Sequence, residues 1–192
     1  MDLGDLDPDP LAQLAAWRAE AGTDEACLAT ASADGAPAAR MVLVRRIGPR
    51  GCELFTNRTS AKGRDLAANP RAALVFYWAP DRQVRVTGPV EVVDDEGSDA
   101  YWDTRPRGSQ LGAWASEQSR PIADRGVLDR RLAEVTERFA GGAVPRPPHW
   151  GGYRVVAETV EFWHHRDDRL HDRIRSRRPA PGEPWARERL SP

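Results

Sequence analysis

Apolar and polar residues alternate along this chain in two rhythms, and the switches between them mark its elements. In PLAQLAAWRAE, Leu11, Leu14 and Trp17 recur at helical spacing behind Pro10, with Gly22 as a stop, which predicts one short amphipathic helix. CLATASADGAPAARMVLVRR and GCELFTN are apolar and β-branched, broken by Asp34-Gly35 and by Gly48 to Gly51, the pattern of hairpin strands. In SAKGRDLAANP, Ser60 can cap a short helix that Asn69-Pro70 ends. RAALVFYW, residues 71–78, is a nearly continuous apolar strand. In QVRVTGPVEVV, residues 83–93, Val84 and Val86 alternate with Gln83, Arg85 and Thr87, so one face is buried and the other polar. Two helical pieces follow near 95–104 and 109–117. From Asp124, residues Leu128, Leu132, Val135 and Phe139 fall at i, i+4, i+7 and i+11 ahead of Gly141-Gly142, predicting a longer amphipathic helix. After the proline-rich VPRPPHWGG, the segment YRVVAETVEFW (153–163) returns to strand. At least five strands with no long helix between them predict a mainly β, α+β fold: a mostly antiparallel barrel with peripheral helices. The expected organisation is an N-terminal extension with its helix over 1–25 and a single domain over 26–192.

Composition narrows the chemistry. The 192 residues, 40% hydrophobic and 30% charged, suffice for one domain with a proper core. The 28 basic and 29 acidic residues nearly cancel, so no global field holds nucleic acid or an anionic membrane, and an anion must be bound by a local cluster. Cys27 and Cys52, each in a predicted strand, read as small buried hydrophobes rather than a disulfide. The acidic start MDLGDLDPDP lacks the basic and apolar regions of a signal peptide, and no apolar run reaches about 18 residues. The expectation is a cytoplasmic protein.

Against that neutral background, EFWHHRDDRLHDRIRSRR (161–178) concentrates six arginines and three histidines among four carboxylates. His164, His165 and His171 beside Asp167 and Asp168 do not make a metal site, because neighbours on a strand point to opposite sides and no cysteine contributes. The arginines lack the aromatic platform that would suit RNA. Four further groupings carry phosphate-friendly donors: Arg40 with Arg45; Thr56, Ser60 and Lys62; Tyr101, Arg105 and Ser109; and Gln118 with Ser119. Arg40 and Arg45 are an odd number apart, so a regular strand projects them to opposite faces unless a bulge intervenes. Two anions, not one, are implied.

In order, RMVLVRR, LFTNRTSAKGRDLAANPRAALVFYW, RQVRVTG, YWDTRPRGSQLGAWASEQS, PPHWGGYRV, VEFW and RLHDRIR resemble the pyridoxamine 5'-phosphate oxidase family over about residues 26–192. The resemblance implies a homodimeric split β-barrel holding FMN in a cleft between subunits. The implied reaction oxidises phosphorylated pyridoxine and pyridoxamine to pyridoxal 5'-phosphate with O2, releasing H2O2. It assigns the FMN to Arg40, Met41, Val42, Leu43, Phe55, Thr56, Lys62, Gln83, Gln118, Ser119, Trp163 and Arg173. It assigns the substrate phosphate to Arg45, Tyr101, Arg105 and Ser109, and places Arg169 and His171 over the pyridine ring as the catalytic pair. Residues 169, 171 and 173 are expected on one face of a strand, so that Arg169, His171 and Arg173 point together toward one cleft while Asp168, Leu170 and Asp172 face away.

The chain departs from the family pattern in four places. Arg45 stands where a lysine is usual, Ala61 where many members have arginine, His164 and His165 where small polar residues are common, and the segment before Pro10 is short. Arg45 and the short N-terminus keep in view a related flavin oxidase acting on a different aromatic, as in phenazine biosynthesis; the resemblance also leaves a non-catalytic module that binds FMN or pyridoxal phosphate, since proteins of the implied fold include such cases.

Overall fold

The computed structural model describes Met1–Pro192. Helix α1 (Pro10–Ala21) starts at an Asp9 cap and ends at Gly22 in the left-handed region. It is followed by β1 (Glu25–Ala31), β2 (Pro37–Gly48), β3 (Gly51–Asn57), α2 (Ala61–Ala68), β4 (Arg71–Trp78) and β5 (Arg82–Val92). Then come α3 (Asp95–Asp103), α4 (Arg107–Ala115), α5 (Arg125–Arg138), β6 (Trp150–Val156), β7 (Thr159–His164), β8 (Asp172–Arg177) and β9 (Ala186–Leu190). The predicted Ser60 cap is in place, accepting from Gly63 N at the start of α2, and Asp124 caps α5 in the same way, accepting from Val127 N.

All strand pairings are antiparallel, in the order β4-β1-β2-β3-β6-β5-β7-β8-β9, and an added β4–β5 pairing closes the first six into a barrel. The alternation seen in the sequence decides which way each side chain faces. Leu28, Val44, Leu54, Leu74, Val84, Val86 and Val155 point inward and are fully buried, joined by Leu11, Leu14 and Trp17 of α1. A smaller core of Trp102, Leu111, Val144 and Trp150 lies under α3 and α4, with the Trp102 indole donating to Val144 O at 2.8 Å.

Three sequence expectations need correction. Residues 153–163 are two strands, β6 and β7, because Ala157 and Glu158 leave the ladder to bond Arg50 O and Thr87 O. That break lets β6 pair with β3 while β7 pairs with β8, which splits the barrel. Strand β8 begins at Asp172, so Arg169 and His171 lie on the preceding loop. Strand β9, whose sequence ARERL is mostly charged, gave no apolar signal; Arg175 and Arg177 of β8 hold it through Glu188. The stripe of α5 is present, but none of that helix's residues is buried in one chain.

Candidate active site

A cavity of about 330 Å³ opens against β2, β3, α2, α3 and α4. It gathers Met41, Val42, Leu43, Arg45, Phe55, Thr56, Lys62, Tyr101, Arg105, Ser109 and Gln118, together with Leu54, Pro106 and Trp150. Three cations and no carboxylate line it. A neighbouring cavity of about 280 Å³ shares Phe55, Thr56, Arg105, Ser109, Gln118 and Trp150 and adds Asn57 and Ser116.

Lys62 is placed by the first turn of α2, next to the cap at Ser60. Its buried ammonium donates to Gln118 Oε1 at 3.0 Å, Thr56 Oγ1 at 3.3 Å and Ser60 Oγ at 3.4 Å, all neutral oxygens. Burial, and then the nearby charge of Arg40, pull its pKa below the ordinary lysine value. An ammonium held this way lacks a counter-ion.

Arg105, between α3 and α4, is held by aromatic faces rather than by an acid. Its guanidinium lies 4.6 Å from the Trp150 ring centre and 5.1 Å from that of Trp102, and its Nη1 is buried with no hydrogen-bond partner. Desolvation lowers its pKa, and the charge of Arg45 pushes the same way. Tyr101 stacks on Phe55 at 4.1 Å, which fixes the phenol at the cavity wall.

Arg40 and Arg45 have different surroundings, and a bulge rather than regular alternation sets the place of Arg45. Arg40 lies outside the cavity lining, donates to Thr30 Oγ1 at 2.6 Å and sits 3.6 Å from Asp65. Arg45 lines the cavity at a bulge, where the β2–β3 register slips between Val44 and Arg46.

The remaining expected residues form a second group that does not line this cavity. Gln83, Trp163 and Arg173 are cross-strand neighbours in one row over β5, β7 and β8. His171 packs on Trp163 at 4.6 Å, and its Nδ1 accepts from the backbone N–H of Arg166 at 3.1 Å. Arg169 does not share a strand face with them; it occupies a turn with φ 62°, a conformation ordinary residues adopt only at a cost. Arg173 is engaged with Glu161 through Nε and Nη2 and with Ser191 O through Nη1. Ser119, also at positive φ (69°), is exposed beside Gln118. Trp150 and Asp24, which bonds Arg45, escaped the sequence reading: an aromatic reads as core by default, and an isolated aspartate gives no pattern.

Comparison with known proteins agrees with the geometry. Residues 15–139 match the family model described as pyridoxamine 5'-phosphate oxidase, and residues 150–192 match the one described as pyridoxine 5'-phosphate oxidase C-terminal dimerisation region. A pyridoxine/pyridoxamine 5'-phosphate oxidase from Ralstonia nicotianae is 52% identical over 100% of this chain and 93% of its own. The enzyme of that name from Rubrobacter xylanophilus is 52% identical over 97% and 88%. Among solved structures, PhzG from Burkholderia lata, in complex with tetrahydrophenazine-1-carboxylic acid, superposes with a TM-score of 0.90 at 32% identity, covering 98% of this chain and 95% of that one. An FMN-binding protein from Nostoc punctiforme shares the fold, with a TM-score of 0.71 at 19% identity over 88% of each chain. With its order of motifs, its six-stranded closure and matches that run through nearly its whole length, this chain belongs to the pyridoxamine 5'-phosphate oxidase family.

Proposed function

We propose that this protein is an FMN-dependent oxidase that converts pyridoxamine 5'-phosphate and pyridoxine 5'-phosphate to pyridoxal 5'-phosphate, and that the cavity is the phosphate-binding half of its site. The observation that carries the reading is the convergence of Arg45, Lys62 and Arg105 without a single carboxylate among the lining residues. Lys62 and Arg105 have no acidic partner, and the one acid that Arg45 bonds, Asp24, lies outside the lining, so this partly buried charge is stabilised by an anionic ligand. The donor set fits the flavin phosphate at one end, where Lys62 and Thr56 stand beside the capped start of α2. At the other end Arg45, Tyr101, Arg105 and Ser109 suit the substrate phosphate. Bound FMN supplies the redox chemistry, taking two electrons from the substrate and delivering them to O2 as H2O2. The alcohol then gives aldehyde directly, and the amine gives aldehyde and ammonia after one water is added.

The protein's own part is binding and orientation. Gln83, Trp163, Arg169, His171 and Arg173 are assigned to the cavity of a second copy, so that each protomer of a homodimer completes its partner's site. The match of residues 150–192 to a dimerisation region supports this, as do the exposed apolar side chains of Met41, Leu43 and Tyr77. In that site Arg169 covers the pyridine ring. With Nδ1 of His171 accepting from Arg166, the ring proton sits on Nε2, available to the substrate oxygen or nitrogen. Cytoplasmic residence belongs to the same reading, supported by two unpaired cysteines. No helix is long and apolar enough to cross a membrane.

The likeness to PhzG favours one alternative, oxidation of a reduced phenazine-type aromatic acid on the same flavin. Aerobic assay of the yellow purified protein separates the two. Pyridoxal phosphate formed from either phosphorylated vitamer supports the first reading; a flavin spectrum with turnover only of the reduced aromatic acid selects the second.

A further inference from the structure

An ammonium is a point charge that needs no aiming, whereas a guanidinium is a planar fork whose donors must be turned toward their target. Arg45 is exposed at a bulge, where the barrel core cannot fix its head. Asp24, on the connection between α1 and β1, does so. Its Oδ2 accepts from Arg45 Nη1 at 2.9 Å, and its backbone carbonyl accepts from Val44 N at 2.8 Å, on the other edge of the bulge. From α1, Arg18 Nη1 donates to Val44 O at 2.8 Å and lies 3.6 Å from Asp24 Oδ1. Only one arm of Arg45 is occupied by this contact, which leaves Nε and Nη2 for a ligand. Arg45 and Arg105 are close enough for their charges to interact, and a carboxylate behind Arg45 offsets that repulsion.

We propose that Asp24 is a positioning and specificity residue for phosphorylated substrates: it aims the Arg45 guanidinium into the cavity, and so lets an arginine serve where a lysine would need no support. The inference rests on the assignment of Arg45 to the substrate phosphate.

The test uses purified holoenzyme, with pyridoxal 5'-phosphate binding read by calorimetry and pyridoxamine 5'-phosphate turnover read by product absorbance. Asp24→Asn should weaken binding and raise KM roughly five- to tenfold with kcat within about twofold. Asp24→Glu should recover most of that loss, and Asp24→Asn should change neither quantity in an Arg45→Lys background. An equal loss in both backgrounds would overturn the proposal, because Asp24 would then act without Arg45. Tighter binding in Asp24→Asn would overturn it as well, by making the carboxylate a competitor of the phosphate. So would a fall in melting temperature well beyond about 2 °C, which would assign Asp24 to the fold alone. Binding that depends on Asp24 through Arg45, in a protein that oxidises neither vitamer, would sink the proposed reaction and leave the positioning role standing.

Discussion

Lys62 combines two demands that pull against each other. Buried among neutral oxygens and facing the charge of Arg40, its protonated form is disfavoured in the cofactor-free fold. The unfolded chain therefore binds more protons than the folded one in the pH window that closes at the ordinary lysine value of 10.5. Stability of the cofactor-free protein should rise with pH through that window. In Lys62→Met the rise should vanish, and the cofactor-free variant should gain about 1 kcal/mol, or roughly 2–4 °C in melting temperature, while losing its flavin on dialysis. A variant that is both less stable and still yellow would contradict the role given to this side chain. Arg169 raises a related conflict, since its turn suits glycine. Arg169→Gly and Arg169→Ala should both lower kcat/KM about 100-fold with flavin retained, because both lose the guanidinium. The glycine variant should be the more stable by about 1 kcal/mol, since it alone relieves the left-handed strain.

At the scale of elements, the barrel depends on places where one strand changes partners. β5 pairs with β7 over residues 82–87 and with β6 over residues 90–92. Between them, a methyl group on Gly88 would lie 1.9 Å from Val156 O and 3.1 Å from Glu158 N, both backbone atoms that cannot step aside. Gly88→Ala should destabilise the protein by about 2–4 kcal/mol, read as a lower urea midpoint with unchanged slope. That glycine sits in plain view in the sequence, yet its reason is a long-range crossing that no local pattern encodes. Elements whose partners are near in sequence were legible from period and punctuation alone: α1 from Pro10 to Gly22, α2 between its serine cap and Asn69-Pro70, and β4 to the residue. Where the signal was charge rather than hydrophobicity, it misled. The run RLHDRIR alternates as a strand should, but the chain makes a tight turn at Arg169 before β8 begins. β9 is held by Arg–Glu pairs that look, in one dimension, like solvated surface. The cavity residues were found through family motifs. Their grouping around an acid-free space needed the fold, because β2, β3, α2 and α4 meet there from distant parts of the chain.

Under the proposed function, the molecule as a whole presents two half-sites on one chain. The first is the cationic cavity on β2, β3 and α2; the second is the row Gln83, Trp163 and Arg173 with the Arg169–His171 loop, none of which lines that cavity. On that reading a single chain holds the parts of one site without assembling them. A two-fold axis is the simplest operation that joins them, because an isologous interface that brings one protomer's second half to its partner's cavity does the same in reverse. The arrangement has a consequence that a self-contained monomer site would not share. Arg105→Ala disables the cavity half, and His171→Ala disables the loop half, so each variant alone should be nearly inactive. When the two are unfolded together and refolded as a random mixture, half of the dimers are mixed. A mixed dimer then has one site built from two intact halves and one built from two damaged halves. Activity should recover to about one quarter of the wild-type value. If both halves came from the same protomer, every site in the mixture would still carry one lesion and no activity would return. Gel filtration of the refolded mixture, run beside the assay, should show the active species at the mass of a dimer.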